Sequence, residues 1–266
     1  QIVISAIYDH IKDKNIKFLV ALGTHRNPTE IEYDRIFGKY YKEFEDRILC
    51  HDSKNDEMTN LGSTSRGTPV MINSEVTKAD AVIVISSVEP HYFAGFTGGR
   101  KSFLPGVSAF ESIEKNHSLA LLDKAKILKL DGNPIHEDMT EAAKMVPTKT
   151  FCILTVLDTN DKVFYATSGD IHSTHKIASN EVIQVFAPTV KEKADIVIFS
   201  DFRHGIFNKQ SVPEYTKSIP KRAFKSADSQ VASRWGNILE FKNFDLITPN
   251  EREARFALAD QDSPIG

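Results

Sequence analysis

The sequence holds only two cysteines, Cys50 and Cys152, far apart and in no metal-binding or redox spacing. That scarcity excludes a disulfide scaffold and makes a reducing cytoplasm the expected compartment. No apolar run approaches the roughly 20 residues that cross a bilayer. The opening Gln1-Ile-Val-Ile-Ser5 has neither the basic start nor the cleavage site of a secretory leader. An excess of either charge is missing as well: 33 basic residues stand against 36 acidic ones, for a net −3. A general nucleic-acid binder usually shows a basic surplus, so that class and the membrane are set aside. Internal repeats and low-complexity tracts are absent. What remains is an ordinary globular composition, 41% hydrophobic and 26% charged, in 266 residues. That length suits one large domain or two modest ones. With no Met at the start and Pro264-Ile-Gly266 at the end, the sequence reads as a fragment.

Short β-branched runs alternate with longer helical stretches. Ile16 to Leu22 reads as a buried strand ending in Gly23-Thr-His-Arg26, with a helix starting at Pro28-Thr-Glu-Ile-Glu. Ala79 to Ser86 is apolar without alternation, the pattern of a strand covered on both faces. Further strands are expected at Thr150–Leu157, Asp195–Ser200 and Phe244–Thr248, and helices at Pro134–Met145 and Ile171–Phe186. Asn133 before Pro134 suits an N-cap with proline at the first helical position. The expected class is therefore α/β, a mostly parallel, Rossmann-like sheet with helices on both faces and an incomplete N-terminus. The expected boundary falls at Phe186-Ala-Pro-Thr-Val-Lys-Glu-Lys, giving domains 1–187 and 188–266.

Ligands in open α/β sheets sit at the carboxyl ends of strands. The densest such place is Glu89 to Ser108, with Gly95, Gly98, Gly99 and Gly106, and with Arg100-Lys101 directly after a glycine pair. Glycines let a backbone approach a ligand, and the basic pair offers charge to phosphate or carboxylate. It is not a Walker loop, because the glycine-lysine spacing differs. Taken one at a time these residues have plainer readings: His25 as a helix-capping loop residue, His91 as a turn residue, Lys101 as a solvated charge, His117 as an exposed helix residue.

Together, Thr24-His25-Arg26, the Glu89–Gly106 run, Asn116-His117-Ser118 and Gly132-Asn-Pro-Ile-His-Glu-Asp-Met139 resemble the nickel-dependent lactate racemase family over about residues 1–187. The resemblance implies a 2-hydroxyacid racemase or epimerase that uses a nickel-pincer nucleotide, supplied by cofactor-biosynthesis proteins. It implies His117 as the nickel ligand, and an imidazole suits a divalent ion in a tetragonal field. It implies Lys101 as the covalent tether of the cofactor, with Gly98, Gly99 and Arg100 beside it. His25 and His91 match the two proton-transfer histidines, a task suited to an unperturbed pKa of about 6.5. Arg26 is a weaker candidate for phosphate or the substrate carboxylate. His136 is given a helix-start role, and His10, His51, His172, His175 and His204 have no assignment.

Two parts of the family pattern have no counterpart here: an Asp-x-Thr-Arg-Pro segment that should lie upstream, and a C-terminal Tyr-Gln-x-x-Lys group. A poor or inactive racemase is the resulting expectation, with Arg26 or Arg203 as the only substitutes in sight. Ile198 to Phe207, Ser226 to Gln230 and Asp245-Leu-Ile-Thr-Pro-Asn-Glu-Arg-Glu-Ala254 instead resemble the middle of a ribokinase-type sugar kinase, with Asn250 and Glu253 near the phosphates. The alternatives to a racemase are thus a sugar-kinase-like phosphotransferase and an inactive anion-binding α/β domain. The hydroxy acid and the oligomeric state are not legible.

Overall fold

A computed structural model describes residues 1–158, 160–186, 194–201, 207, 211–229 and 238–258. The expected linker at 187–193, Arg203, His204 and Gln230 lie outside the described residues. The chain divides into two compact units, residues 1–186 and 187–266.

Unit 1 opens with α1 (Ile2–Ile11), β1 (Phe18–Val20), α2 (Glu30–Phe37), α3 (Tyr41–Phe44) and β2 (Ile48–Cys50). β1 and β2 pair in parallel. Phe37, Tyr40 and Phe44 make a small aromatic core of their own, with Tyr8 and Phe18 packed against it. The start of α2 is fixed by a capping box: the Glu32 N–H donates to the Thr29 hydroxyl, and the Glu32 carboxylate accepts from the Thr29 N–H.

Next come β3 (Met58–Ser63) and β4 (Pro69–Asn73), an antiparallel pair, then α4 (Ser74–Lys78) and β5 (Ala81–Ser87). A minimal hairpin of β6 (Pro90–His91) and β7 (Gly95–Phe96) follows β5. α5 (Phe110–Ser118) and α6 (Pro134–Met145) precede β8 (Lys149–Leu157), β9 (Val163–Gly169) and α7 (Ile171–Phe186). The Asn133 side chain accepts from the Ile135 and His136 N–H groups, with Pro134 at the first helical position. α7 buries Ile171, Thr174, His175, Ala178, Ser179 and Val182, a stripe at spacings of three and four. That stripe joins Val84 of β5, Leu154 and Val156 of β8 and Met139 of α6 in the main core.

The architecture is mixed α/β, and its sheets are smaller and less uniformly parallel than the sequence pattern predicts. β5 and β8 are parallel, but β9 returns antiparallel to β8 through a short connection. β3–β4 and β6–β7 are antiparallel too. Nor is β5 covered on both faces: Ile83 and Ile85 remain 48% and 41% exposed. A continuous apolar run does not distinguish a two-face strand from a half-covered one.

Unit 2 contains β10 (Ile196–Asp201), α8 (Ser211–Lys217), β11 (Phe224–Ser229), β12 (Leu246–Ile247) and α9 (Glu251–Leu258). Among the described residues its strands β10, β11 and β12 are wholly parallel, in the order β10-β11-β12. Phe199, Val212, Ala227, Ile238 and Phe241 form its core.

Candidate functional site

Two residues after β5 the chain is pinned on itself. The Glu89 N–H donates to the Thr97 hydroxyl and the Thr97 N–H to the Glu89 carbonyl, both at 2.8 Å. This closes the β6–β7 hairpin and presents His91-Tyr-Phe93 at its tip. The Ala94 N–H donates to His91 Nδ1 at 3.2 Å, so the neutral ring carries its proton on Nε2. Burial, helped by the charges of Lys101 and Arg100, pushes His91 down to about 3. His91 is therefore neutral at pH 7 and presents an N–H donor.

Phe93 is the hub of this region. Its buried ring lies edge-on to His91 at 4.5 Å and edge-on to His117 at 5.1 Å, centroid to centroid. Lys101 Nζ stands 6.0 Å from the same ring centre. Three of the four residues singled out from the sequence thus share one aromatic side chain, although they come from a hairpin, a turn and α5.

Lys101 lies in the turn Gly99–Ser102. Burial first, and the Arg100 charge second, bring its amine down to about 8. About a tenth of it is neutral at pH 7, so it is a usable nucleophile. His117 is also lowered by burial. Its buried Nδ1 has no hydrogen-bond partner; the Ile113 carbonyl one turn back favours the charged ring slightly without being aligned to accept. Next to it, Asn116 donates to the fully buried Asp138 carboxylate at 2.8 Å. Asp138 also accepts from the hydroxyls of Thr64 and Thr68. One carboxylate thus ties α5, α6 and the β3–β4 connection together and fixes the helix that carries His117.

The glycine pair has a packing reason. Gly98 has φ +77°, and a Cβ there would stand 2.5 Å from the Ser87 carbonyl. Gly99 has φ +55°, and a Cβ there would meet the His175 ring at 3.0 Å. Only glycine lets this turn lie against the end of β5 and α7. Arg100 is 1% exposed and is therefore not a surface cation. Its NH2 donates to the Ala94 carbonyl at 2.9 Å, and its NH1 faces the carbonyls of Thr97 and Gly98 and, at 2.6 Å, His175 Nε2. His175 Nε2 also lies 2.9 Å from the Thr97 carbonyl, to which it can only donate, whereas towards the guanidinium it can only accept, so the ring tautomer decides which bond forms.

His25 is exposed in the turn after β1. That turn is joined to the Lys101 loop through the backbone: the Gly23 N–H donates to the Gly106 carbonyl, and the Gly106 N–H to the Lys101 carbonyl, both at 2.9 Å. His25 and His91 do not follow paired strands, since β1 pairs with β2 and β5 with β8. Arg26 is spent locally, forking onto both oxygens of Glu32 at 2.8 and 3.0 Å. In unit 2, Asn250 and Glu253 bond each other across the start of α9: each accepts from the other's N–H. They cap a helix, which gives the pair read as phosphate-proximal a structural role as well.

Sequence reasoning missed Phe93, Asp138 and His175. Asp138 lies inside the quoted Gly132–Met139 motif, where an acidic residue on the buried side of an amphipathic helix was the available signal.

Residues 1–128 match the lactate racemase N-terminal domain. The chain is similar to the lactate racemase of Thermoanaerobacterium thermosaccharolyticum, 35% identical over 208 residues, 76% of this chain and 48% of that one. It is 34% identical to the lactate racemase of Lactiplantibacillus plantarum over 172 residues, 64% of this chain and 40% of that one. It therefore spans about half the length, or less, of these curated relatives. Its fold resembles the structure of the lactate racemase apoprotein from Thermoanaerobacterium thermosaccharolyticum, with a TM-score of 0.68 at 31% identity, covering 86% of this chain and 57% of that one. A Thermotoga maritima protein of known crystal structure, 20% identical, shares the fold at a TM-score of 0.57 over 79% of this chain and 57% of that one. The apoprotein match covers more residues than unit 1 contains, so the likeness extends into unit 2.

Proposed function

Residues 1–128 belong to the lactate racemase family, and on that premise we propose that the chain is the cofactor-holding part of a 2-hydroxyacid racemase. The observation that carries this reading is the gathering of His91, Lys101 and His117 about the Phe93 ring.

The residues suit a nickel-pincer nucleotide. Such a group brings its own metal donors and asks the protein for one more, and His117 keeps a buried ring nitrogen without a partner. Among the described residues no three His, Cys, Asp or Glu side chains are grouped to hold a metal by themselves. Lys101, lowered to about 8, has the neutral amine that a covalent tether needs. When bound, the nucleotide supplies an acceptor for the α-hydride of the substrate. His25 and His91 exchange the hydroxyl proton, one for each face of the planar keto acid. In its resting tautomer His91 presents Nε2–H, which polarises a keto oxygen; serving as base requires the proton on Nδ1 and loss of the Ala94 bond. Cofactor-making proteins are the expected partners and the cytoplasm the expected setting. Unit 2 is assigned no catalytic group.

The test is production together with the cofactor-making proteins, followed by intact mass and by a stereochemical assay with D- and L-lactate. The expected result is an adduct absent from Lys101→Ala, with interconversion slower than the roughly 1–10³ s⁻¹ typical of enzymes. Neither adduct nor interconversion overturns the reading.

A further inference from the structure

Arg100 is buried to 99% as a cation, since it is 1% exposed. Burial pulls it down to about 9, so it remains charged at neutral pH. A buried charge is ordinarily paired, yet among the described residues Arg100 has no carboxylate partner. Its NH1 and NH2 groups are spent on carbonyls and His175, while its buried Nε–H bonds to nothing.

Arg100 also lines a pocket of roughly 90 Å³. His136 of α6 and His172, His175 and Lys176 of α7 line it too. The rings of His136 and His175 stack with centroids 6.0 Å apart. His136 Nδ1 is a second buried nitrogen without a partner. All three imidazoles are held neutral, by burial first and by the Arg100 charge in each case. Asp131 is the one acidic residue in the lining, and it is exposed. The pocket thus has two fixed cations against one rim carboxylate. Its interior adds neutral imidazoles, each of which carries one ring N–H able to donate to an anion. The volume accommodates a group of a few heavy atoms, since one water needs only about 10–15 Å³ by the same measure.

We propose that this pocket is a binding site for a small oxyanion, phosphate or a short carboxylate, which supplies the counter-charge that buried Arg100 lacks. The assignment is independent of the racemase reading, since neither α7 nor His136 takes part in that chemistry. Occupancy would also brace the turn that carries Lys101, because Arg100 holds that turn through the carbonyls of Ala94, Thr97 and Gly98.

The experiment is calorimetric titration of the cofactor-free full chain at low ionic strength, first with sodium phosphate and then with sodium lactate. His172→Gln, Lys176→Gln and the remote control Lys17→Gln are titrated in parallel. Lys176 and Lys17 are exposed and His172 is half-buried, so these variants fold where Arg100→Ala need not. Saturable binding of either anion is expected, weakened about three- to tenfold in His172→Gln and Lys176→Gln and unchanged in Lys17→Gln. Saturation by phosphate alone identifies an inorganic oxyanion as the ligand, and saturation by lactate alone a carboxylate. No saturable heat with either anion, or binding that both pocket variants leave intact, overturns the proposal.

Discussion

Around Phe93 the candidate groups are half-buried, and that burial sets their protonation: His91 is held near 3, Lys101 near 8, and His117 is lowered as well. The turn carrying His25 is exposed, and its neighbour Arg26 is committed to Glu32, whose carboxyl that partner holds at about 2. The candidate groups thus divide into a dry side, with two neutral imidazoles and an amine about a tenth neutral at pH 7, and a wet side, with a solvated imidazole beside an ion pair. Metal ligation and amine attack both need unprotonated nitrogen, and the dry side provides it without any bound group. A proton-transfer residue on the wet side depends on whatever binds above it to exclude water.

The largest effect belongs to the dry side. In protein matured with the cofactor-making proteins, His117→Ala is expected to lose at least tenfold in nickel per chain, and His25→Ala to keep it. Elemental analysis of the desalted proteins decides. Equal loss in both variants would erase the distinction between the two sides.

Asp138→Ala comes next, as a stability effect. It leaves the Thr64 and Thr68 hydroxyls and the Asn116 amide as buried donors without an acceptor. Each such group costs about 1–3 kcal/mol, so a loss of roughly 3 kcal/mol or more and a fall in Tm of about 10 °C are expected. Thermal unfolding of the unloaded protein measures it. A fall of a degree or two would mean that Asp138 does not fix α5, and that His117 is positioned some other way.

Much of this was readable in the sequence wherever local chemistry decides local structure. Asn133-Pro134 announces α6, and Ile171–Phe186 forms the helix its pattern predicts. Thr29 and Glu32 box the start of α2, close to the expected start at Pro28. The β3–β4 pair was not legible, because Met58-Thr-Asn-Leu-Gly-Ser63 carries no apolar run and gains its strand form from pairing with β4. The site divides in the same way. His25, His91, Lys101 and His117 are recognisable from residue type and spacing. The fate of Arg100 is not, since nothing in Gly-Gly-Arg-Lys distinguishes a guanidinium turned inward on carbonyls and His175 from one offered to a ligand. That distinction depends on α7, 75 residues further along the chain.

The pH dependence of stability is a smaller, graded test of the dry side. His91 stays neutral in the folded protein down to about 3, whereas in the unfolded chain it takes a proton near its ordinary value of about 6.5. Between those values the unfolded state binds the extra proton, so stability falls as pH drops from about 6.5 towards 3. His136 acts in the same direction. His91→Gln is therefore expected to show a shallower loss of Tm between pH 7 and pH 4 than the parent. Parallel curves for the two proteins would mean that His91 is open to water.

The smallest expected effect is on the wet side, and it is informative because it is small. Among the described residues Arg26 bonds Glu32 and the Asn27 carbonyl alone. Glu32 is held independently by the N–H and hydroxyl of Thr29, so Arg26→Ala leaves the capping box of α2 intact. Exposed ion pairs of this kind contribute little to stability, and no measurable change in Tm is expected. Nor should the variant lose affinity for substrate, because the end-on fork of Arg26 is already held by both oxygens of Glu32. In the loaded enzyme, KM for lactate within about twofold of the parent fits a bystander. A tenfold rise in KM at unchanged kcat, the signature of lost uniform binding, would mean that Arg26 abandons Glu32 for the substrate carboxylate. The wet side would then be a half-assembled binding site that closes on its ligand.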